Sequence, residues 1–111
     1  MIESVIIDYL KNHLSVPVYG DVPQDISGSF VTVEQVGGTL ENKIESASIA
    51  VQSWADTRAD AAALNDQVKA VLAGAVELDN ISKCHLDTNY NYTDTTTKKA
   101  RYQAIFEVVF F

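Results

Sequence analysis

Cysteine, histidine and long apolar runs are scarce in this sequence of 111 residues. Its single cysteine, Cys84, cannot form an internal disulfide, so an oxidising compartment is not indicated. No apolar run approaches the roughly 18 residues that a transmembrane helix needs, and residues 1–4 lack the basic start of a signal peptide. The sequence therefore predicts a protein of the cytoplasm without a membrane segment.

Side chains that commonly carry out catalysis are also few. The only histidines are His13 and His85. Cys84 and His85 are neighbours in a predicted strand, where adjacent side chains point to opposite faces, so they are not expected to act as nucleophile and base. Zinc-ligand spacing, a Walker loop and a GxGxxG motif are all missing. We therefore predict no catalytic, cofactor-binding or metal-binding residues and no enzymatic activity.

Acidic residues outnumber basic ones: the chain has 15 Asp and Glu but only 8 Lys and Arg, which gives a formal net charge of −7. This balance argues against broad, nonspecific binding of nucleic acid, which depends on neutralising phosphates. The one basic cluster consists of Lys98, Lys99 and Arg101. We interpret it as a solvated hairpin end that keeps a strand edge soluble, and its three residues are also candidates for an interface.

Two segments have helical periodicity. Apolar side chains recur at mostly three- and four-residue steps in residues 2–14, and Pro17 stops this helix. The second predicted helix covers residues 57–72, with Thr57 as N-cap, Asp60 in its first turn and Gly74 as C-cap.

The remaining segments predict strands and turns. Residues 16–19 form a short edge piece, Gly37 and Gly38 end the first long strand, and residues 39–45 and 91–99 are a flexible loop and a polar turn. The predicted long strands cover residues 30–36, 46–55, 81–92 and 100–111. These elements predict one α+β domain over residues 1–111: an antiparallel four-stranded sheet plus a short edge strand, with two helices packed on one face.

Side-chain alternation assigns faces within these strands. In residues 81–92, strict alternation places Cys84, Leu86, Tyr90 and Tyr92 on one face. The final strand is apolar on both faces, which breaks the pattern of a sheet covered on one side only.

Four apolar residues are candidates for contact with another molecule. Trp54 precedes the second helix, and we interpret it as a core or rim aromatic under the start of that helix, with an interface anchor as the alternative. Ile105, Val109 and Phe111 lie on the second apolar face of the last strand. Their apolar surface predicts self-association, with burial in the domain's own core as the alternative.

Several short segments follow one another in an order that is informative as a whole. They are residues 18–23 (VYGDVP), 30–35 (FVTVEQ) with the following glycine pair, 49–57 (IAVQSWADT) running into 61–64 (AAAL), and 101–103 (RYQ) before an apolar strand. In this order and spacing they resemble the tail terminator (tail completion) proteins of tailed phages, over nearly the whole chain.

The resemblance implies a structural role without catalytic residues. Such proteins form rings, typically hexamers, that cap the tail tube and help to join tail to head, while DNA passes through the ring. The implied partners are copies of the chain itself, the tail tube protein and a head-side connector protein. The implied location is the neck of the virion tail, reached through the host cytoplasm. The alternatives are another phage neck component, a small adaptor that binds a peptide along a sheet edge, and an enzyme with an unfamiliar site.

Overall fold

The chain forms two α-helices and five β-strands within residues 1–42, 44–93 and 99–111, the part that the structure, a computed structural model, describes. No helix in these ranges is long and apolar enough to cross a membrane. The elements are α1 (Ile2–His13), β1 (Val18–Tyr19), β2 (Phe30–Glu41), β3 (Ile44–Ala55), α2 (Arg58–Ala73), a 3-10 turn (Ala75–Glu77), β4 (Ile81–Asn91) and β5 (Ala100–Phe110).

The strands form one mixed sheet in the order β1-β2-β3-β5-β4. The α+β class is confirmed, but the expected antiparallel four-stranded sheet with a separate edge piece is wrong in detail. β1 is hydrogen-bonded into the sheet and runs parallel to β2, with Val18 opposite Val31. The physical reason is the turn-rich segment 20–29, which leads the chain back to the end of the sheet where β1 began, so that β2 starts in the same direction.

The first long hairpin differs most from expectation. In the segment 39–45, predicted as a flexible loop, residues 39–41 continue β2 and residues 44–45 belong to β3, with Glu41 paired to Ile44. Asn42 has φ 53°, in the left-handed region that Asn adopts more easily than most residues and that tight hairpin turns require. Gly37 and Gly38 do not end β2, because the ladder continues past a β-bulge between Gln35 and Gly37.

Both predicted helices are confirmed to within a residue or two, because local signals fix their ends. The Thr57 side chain accepts a hydrogen bond from the backbone N–H of Asp60 at 3.1 Å, which satisfies one of the free donors at the start of α2. The N–H of Gly74 bonds to the Val71 carbonyl at the other end.

The core lies on one face of the sheet. There α1 and α2 bury apolar side chains against β2, β3 and β5, as predicted for two helices on one face. The centre of this core consists of Ile6, Leu10, Val33, Ile49, Val51, Val68, Leu72, Phe106 and Val108. The opposite face of the sheet carries the strand side chains that alternate with the core residues. We call it the open face.

Candidate functional site

The predicted interface residues within the described ranges lie apart: most are on the open face, and Phe111 lies beyond the far end of β5. Trp54 and Arg101 are cross-strand partners at one end of the sheet. Ile105 and Val109 lie farther along β5 and are half-buried, while Phe111 follows the end of that strand and is exposed. Lys98 lies outside the described residues. The predicted residues that the structure describes therefore do not form one continuous patch.

A row of aromatic rings crosses the sheet at the Trp54 end. The Phe30 and Trp54 rings stack with centroids 5.3 Å apart, and Tyr19 meets Phe30 edge-on at 6.0 Å. The Arg101 guanidinium continues the row beyond Trp54. We call this row the aromatic ladder; in order across the sheet it contains Tyr19, Phe30, Trp54, Arg101, Tyr92 and Tyr90.

Trp54 belongs to the interior of this ladder. Its side chain is only 3% exposed, and its indole N–H donates to the Thr32 hydroxyl at 3.2 Å. The expectation that it is a core or rim aromatic is confirmed, but its position under the start of α2 is wrong. It lies on the face away from the helices, buried by Phe30 and Arg101.

Lys99 is also buried, so the interpretation of its side chain as part of a solvated hairpin end is wrong. It is 7% exposed, and its ammonium donates to the Gly28 carbonyl and to the Asp56 carboxylate, both at 2.6 Å. These bonds attach the 20–29 segment and the β3–α2 connection to the start of β5. The Lys99 hydrogen bond and charge hold the pKa of Asp56 below its usual value, which favours the carboxylate in the folded protein.

In the middle of the open face, polar side chains form hydrogen bonds with one another. Gln52 donates to Gln103 at 2.7 Å, Gln103 donates to the Tyr90 hydroxyl at 2.5 Å, and Ser48 donates to Glu107 at 2.6 Å. These bonds tie β3, β5 and β4 together through side chains. Hydrogen-bonded polar side chains therefore lie between the aromatic ladder and the other end of the sheet.

The other end of the molecule carries the most exposed apolar side chains. The outer part of the β2–β3 hairpin extends beyond the helix layer, and Leu40 near its tip is 68% exposed. Met1 and Phe111 are 81% and 76% exposed. We call this surface the arm patch; it comprises Met1, Leu40, Phe110 and Phe111.

Two adjoining grooves run through the arm patch on its helix side. One, of about 400 Å³, is bounded by Met1, Phe110 and Phe111. The other is bounded by Leu40, and Glu45 lines both of them. Both grooves combine apolar side chains with polar ones such as Gln35 and Glu45, a mixture that suits a protein contact.

Cys84 and His85 do not form a reactive pair. Cys84 packs against the core from β4, and burial raises the pKa of its thiol to about 11. His85 is exposed and is opposite Glu107 on the other face. The placement on opposite faces agrees with the sequence analysis.

We expect Cys84 to react slowly with thiol reagents in the native protein. A pKa of about 11 in place of 9.0 lowers the thiolate fraction at pH 8 by about a hundredfold. The rate of labelling by a disulfide reagent in buffer, compared with the rate in denaturant, measures this protection of the thiol.

Cys84→Ser and His85→Ala proteins should both still assemble. Fast native labelling, or a folded variant without assembly, would show that the pair has a role.

The described ranges contain no group of three or more His, Cys, Asp and Glu side chains able to hold a metal ion.

The sequence did not single out Leu40, Tyr90 or Tyr92 as site residues. The alternation of apolar and polar residues in β4 grouped the two tyrosines on one face, but only their neighbours across the sheet show which face that is.

No protein-family model matches the chain, and a search of curated proteins finds no match.

Proposed function

We propose that the protein is a structural assembly protein that closes into a ring through head-to-tail contacts and serves as a tail terminator of a tailed phage. The observation that carries this proposal is the presence of two unlike surfaces at opposite ends of one sheet: the exposed tyrosines of the aromatic ladder, and the arm patch. Arg101 and Phe110, which mark these ends on β5, are nine residues apart, or about 30 Å along a strand.

Two unlike surfaces suit a ring better than a two-fold dimer. In a two-fold dimer the same patch meets itself, whereas a head-to-tail contact joins two different patches and closes when the rotation between subunits suits. A soluble monomer rarely exposes several large apolar side chains together without a use for them. The arm patch therefore supports contact with a neighbouring subunit.

The phage role rests on the resemblance of the sequence segments to tail terminators. In that role the ring, a hexamer, would cap the tail tube in the neck of the virion and present a surface to the head-side connector. DNA would pass through the ring without sequence-specific binding. The net charge of −7 suits a channel that DNA crosses without adhering.

Two other functions compete with this proposal. Another neck component of similar fold would also form rings and would differ in the partner that it binds. A peptide-binding adaptor would use the outer edge of β4, but two register shifts interrupt β4, between Ile81 and Lys83 and between Leu86 and Thr88. Such bulges commonly protect an edge from pairing with another strand, so the adaptor is disfavoured.

The test of the proposal is the mass of the protein in solution, measured by light scattering over a concentration series, alone and with tail tubes. We expect a ring of about six subunits, at least in the presence of tubes. The double variant Leu40→Ser/Phe111→Ser should raise the concentration needed for assembly on the order of a hundredfold, because each side chain contributes about 1.5 kcal/mol when buried.

Val76→Ser is the control, because Val76 is also an exposed apolar residue, at 50%, but lies in the 3-10 turn. It should assemble like the wild type. A wild-type protein that stays monomeric at all concentrations and does not cap tubes would refute the proposed function.

A further inference from the structure

Arg101 holds its guanidinium in a fixed position at the surface. The group lies 4.5 Å from the Trp54 ring centroid and 4.3 Å from that of Tyr92. Its Nε–H donates to the Tyr92 carbonyl at 2.8 Å. Its terminal nitrogens have no hydrogen-bond or ion-pair partner among residues 1–42, 44–93 and 99–111, and the side chain is partly exposed.

Such an arginine is a prepared receptor for an anion. The two rings fix the guanidinium plane, and the terminal N–H groups can then donate two parallel bonds to one carboxylate or phosphate. Because the side chain is already ordered, binding loses less conformational entropy than it would with a free arginine. The exposed rings of Tyr90 and Tyr92 add an apolar surface beside this receptor.

The arm patch carries the complementary groups. Glu45 is opposite Leu40 in the β2–β3 ladder, so that a carboxylate and an apolar side chain lie side by side next to Phe110. Glu41 is nearby at the hairpin end. Both side chains are exposed, and neither carboxylate forms a hydrogen bond or ion pair within the part of the chain that the structure describes.

The two surfaces of one subunit cannot meet each other. Arg101 and Phe110 are held about 30 Å apart by a continuous strand. A contact between the arm and the arginine therefore requires a second copy of the chain. A DNA phosphate is a weaker candidate for the arginine, because the chain as a whole is acidic, with a net charge of −7.

Building on the proposed ring, we propose that the hairpin arm of one subunit docks on the aromatic ladder of the next, where Arg101 binds the Glu45 carboxylate. Leu40 of the arm then packs against the exposed tyrosine rings. This contact joins unlike ends, as a closed ring requires. The charge pair fixes which end of the ladder receives the arm.

A charge-reversal exchange tests this contact. Arg101→Glu alone and Glu45→Arg alone should each place like charges in every contact and raise the concentration for half-assembly by tenfold or more. An equimolar mixture should recover assembly, because in an alternating ring each contact then joins opposite charges. Light scattering and native mass spectrometry would show equal numbers of the two variants in each ring.

The controls separate folding from docking. Arg101→Glu also removes the stacking on Trp54, so circular dichroism must show that the variant is folded. Glu45→Arg changes only an exposed arm residue and tests the contact even where Arg101→Glu fails to fold. Asp66→Lys provides a matched reversal, because Asp66 is an exposed acid on α2, away from both surfaces, and it should leave assembly unchanged.

The outcomes distinguish this docking from the proposed function. If the wild type assembles and Glu45→Arg assembles at the same concentration, the docking is wrong and the ring stands. If the wild type does not assemble even with tubes, both are wrong. If only Arg101→Glu weakens assembly, and it also abolishes binding of a fluorescent DNA duplex, Arg101 contacts phosphate and the docking on Glu45 is wrong.

Discussion

The Trp54→Ala protein should lose about 4 kcal/mol of unfolding free energy, a large part of the 5–15 kcal/mol that is usual for a domain. The indole is almost fully buried and stacks on Phe30 and Arg101. Its removal leaves a cavity and takes the indole donor from the Thr32 hydroxyl. Urea unfolding followed by far-ultraviolet circular dichroism measures the loss, since the variant lacks the only tryptophan.

Trp54→Phe is the matched control. It keeps an aromatic ring in the ladder and loses the hydrogen bond to Thr32 and part of the volume, so its loss should be clearly smaller than that of the alanine variant. If Trp54 were an interface anchor, the alanine variant would unfold like the wild type and fail only in assembly. That result would contradict the buried position described above.

The second large effect is expected at Lys99. Replacing it with methionine keeps much of the buried stem but removes the ammonium that bonds to the Gly28 carbonyl and the Asp56 carboxylate. We expect a loss of about 2 kcal/mol, since a hydrogen bond to a charged group contributes about 1.5–3 kcal/mol. The 20–29 segment should also become more sensitive to limited proteolysis, which provides a second measurement.

Asp56→Asn is the control for the ion pair. The Asp56 side chain is 70% exposed, so solvent screens its charge and the variant should lose less stability than Lys99→Met. Because folding lowers the pKa of Asp56, its contribution is present above the unfolded value of 3.8 and disappears as the pH falls through the lower folded value. The asparagine variant should lack this acid-dependent part. An equal loss for both variants would assign the effect to the ion pair rather than to Gly28.

The β2–β3 hairpin shows why a polar segment is not necessarily a loop. Residues 39–45 carry few apolar side chains because most of that stretch extends beyond the helices, where neither face has a core to bury. Backbone pairing between the strands holds this arm together although neither of its faces is buried. The signal that could have revealed the turn was Asn42, a residue type that favours the left-handed turn conformation.

β4 shows how one extra residue changes a face assignment. Strict alternation placed Tyr90 and Tyr92 with Cys84 and Leu86. The register shift between Leu86 and Thr88 moves the tyrosines to the open face, where Tyr90 is opposite Gln103. A shift of one residue reverses the side of every following side chain, and the aromatic ladder depends on this shift.

The sequence by itself determined the α+β class, both helices with the Thr57 cap, and the position of the last strand, because these depend on residues within a few positions of one another. Only the tertiary structure decided the parallel pairing of β1, the bulges, the face that Trp54 occupies and the burial of Lys99. Each of these depends on partners far away in the chain, such as Gly28 for Lys99. A local pattern records which side chains favour burial, but the pairing of distant strands determines which of them meet.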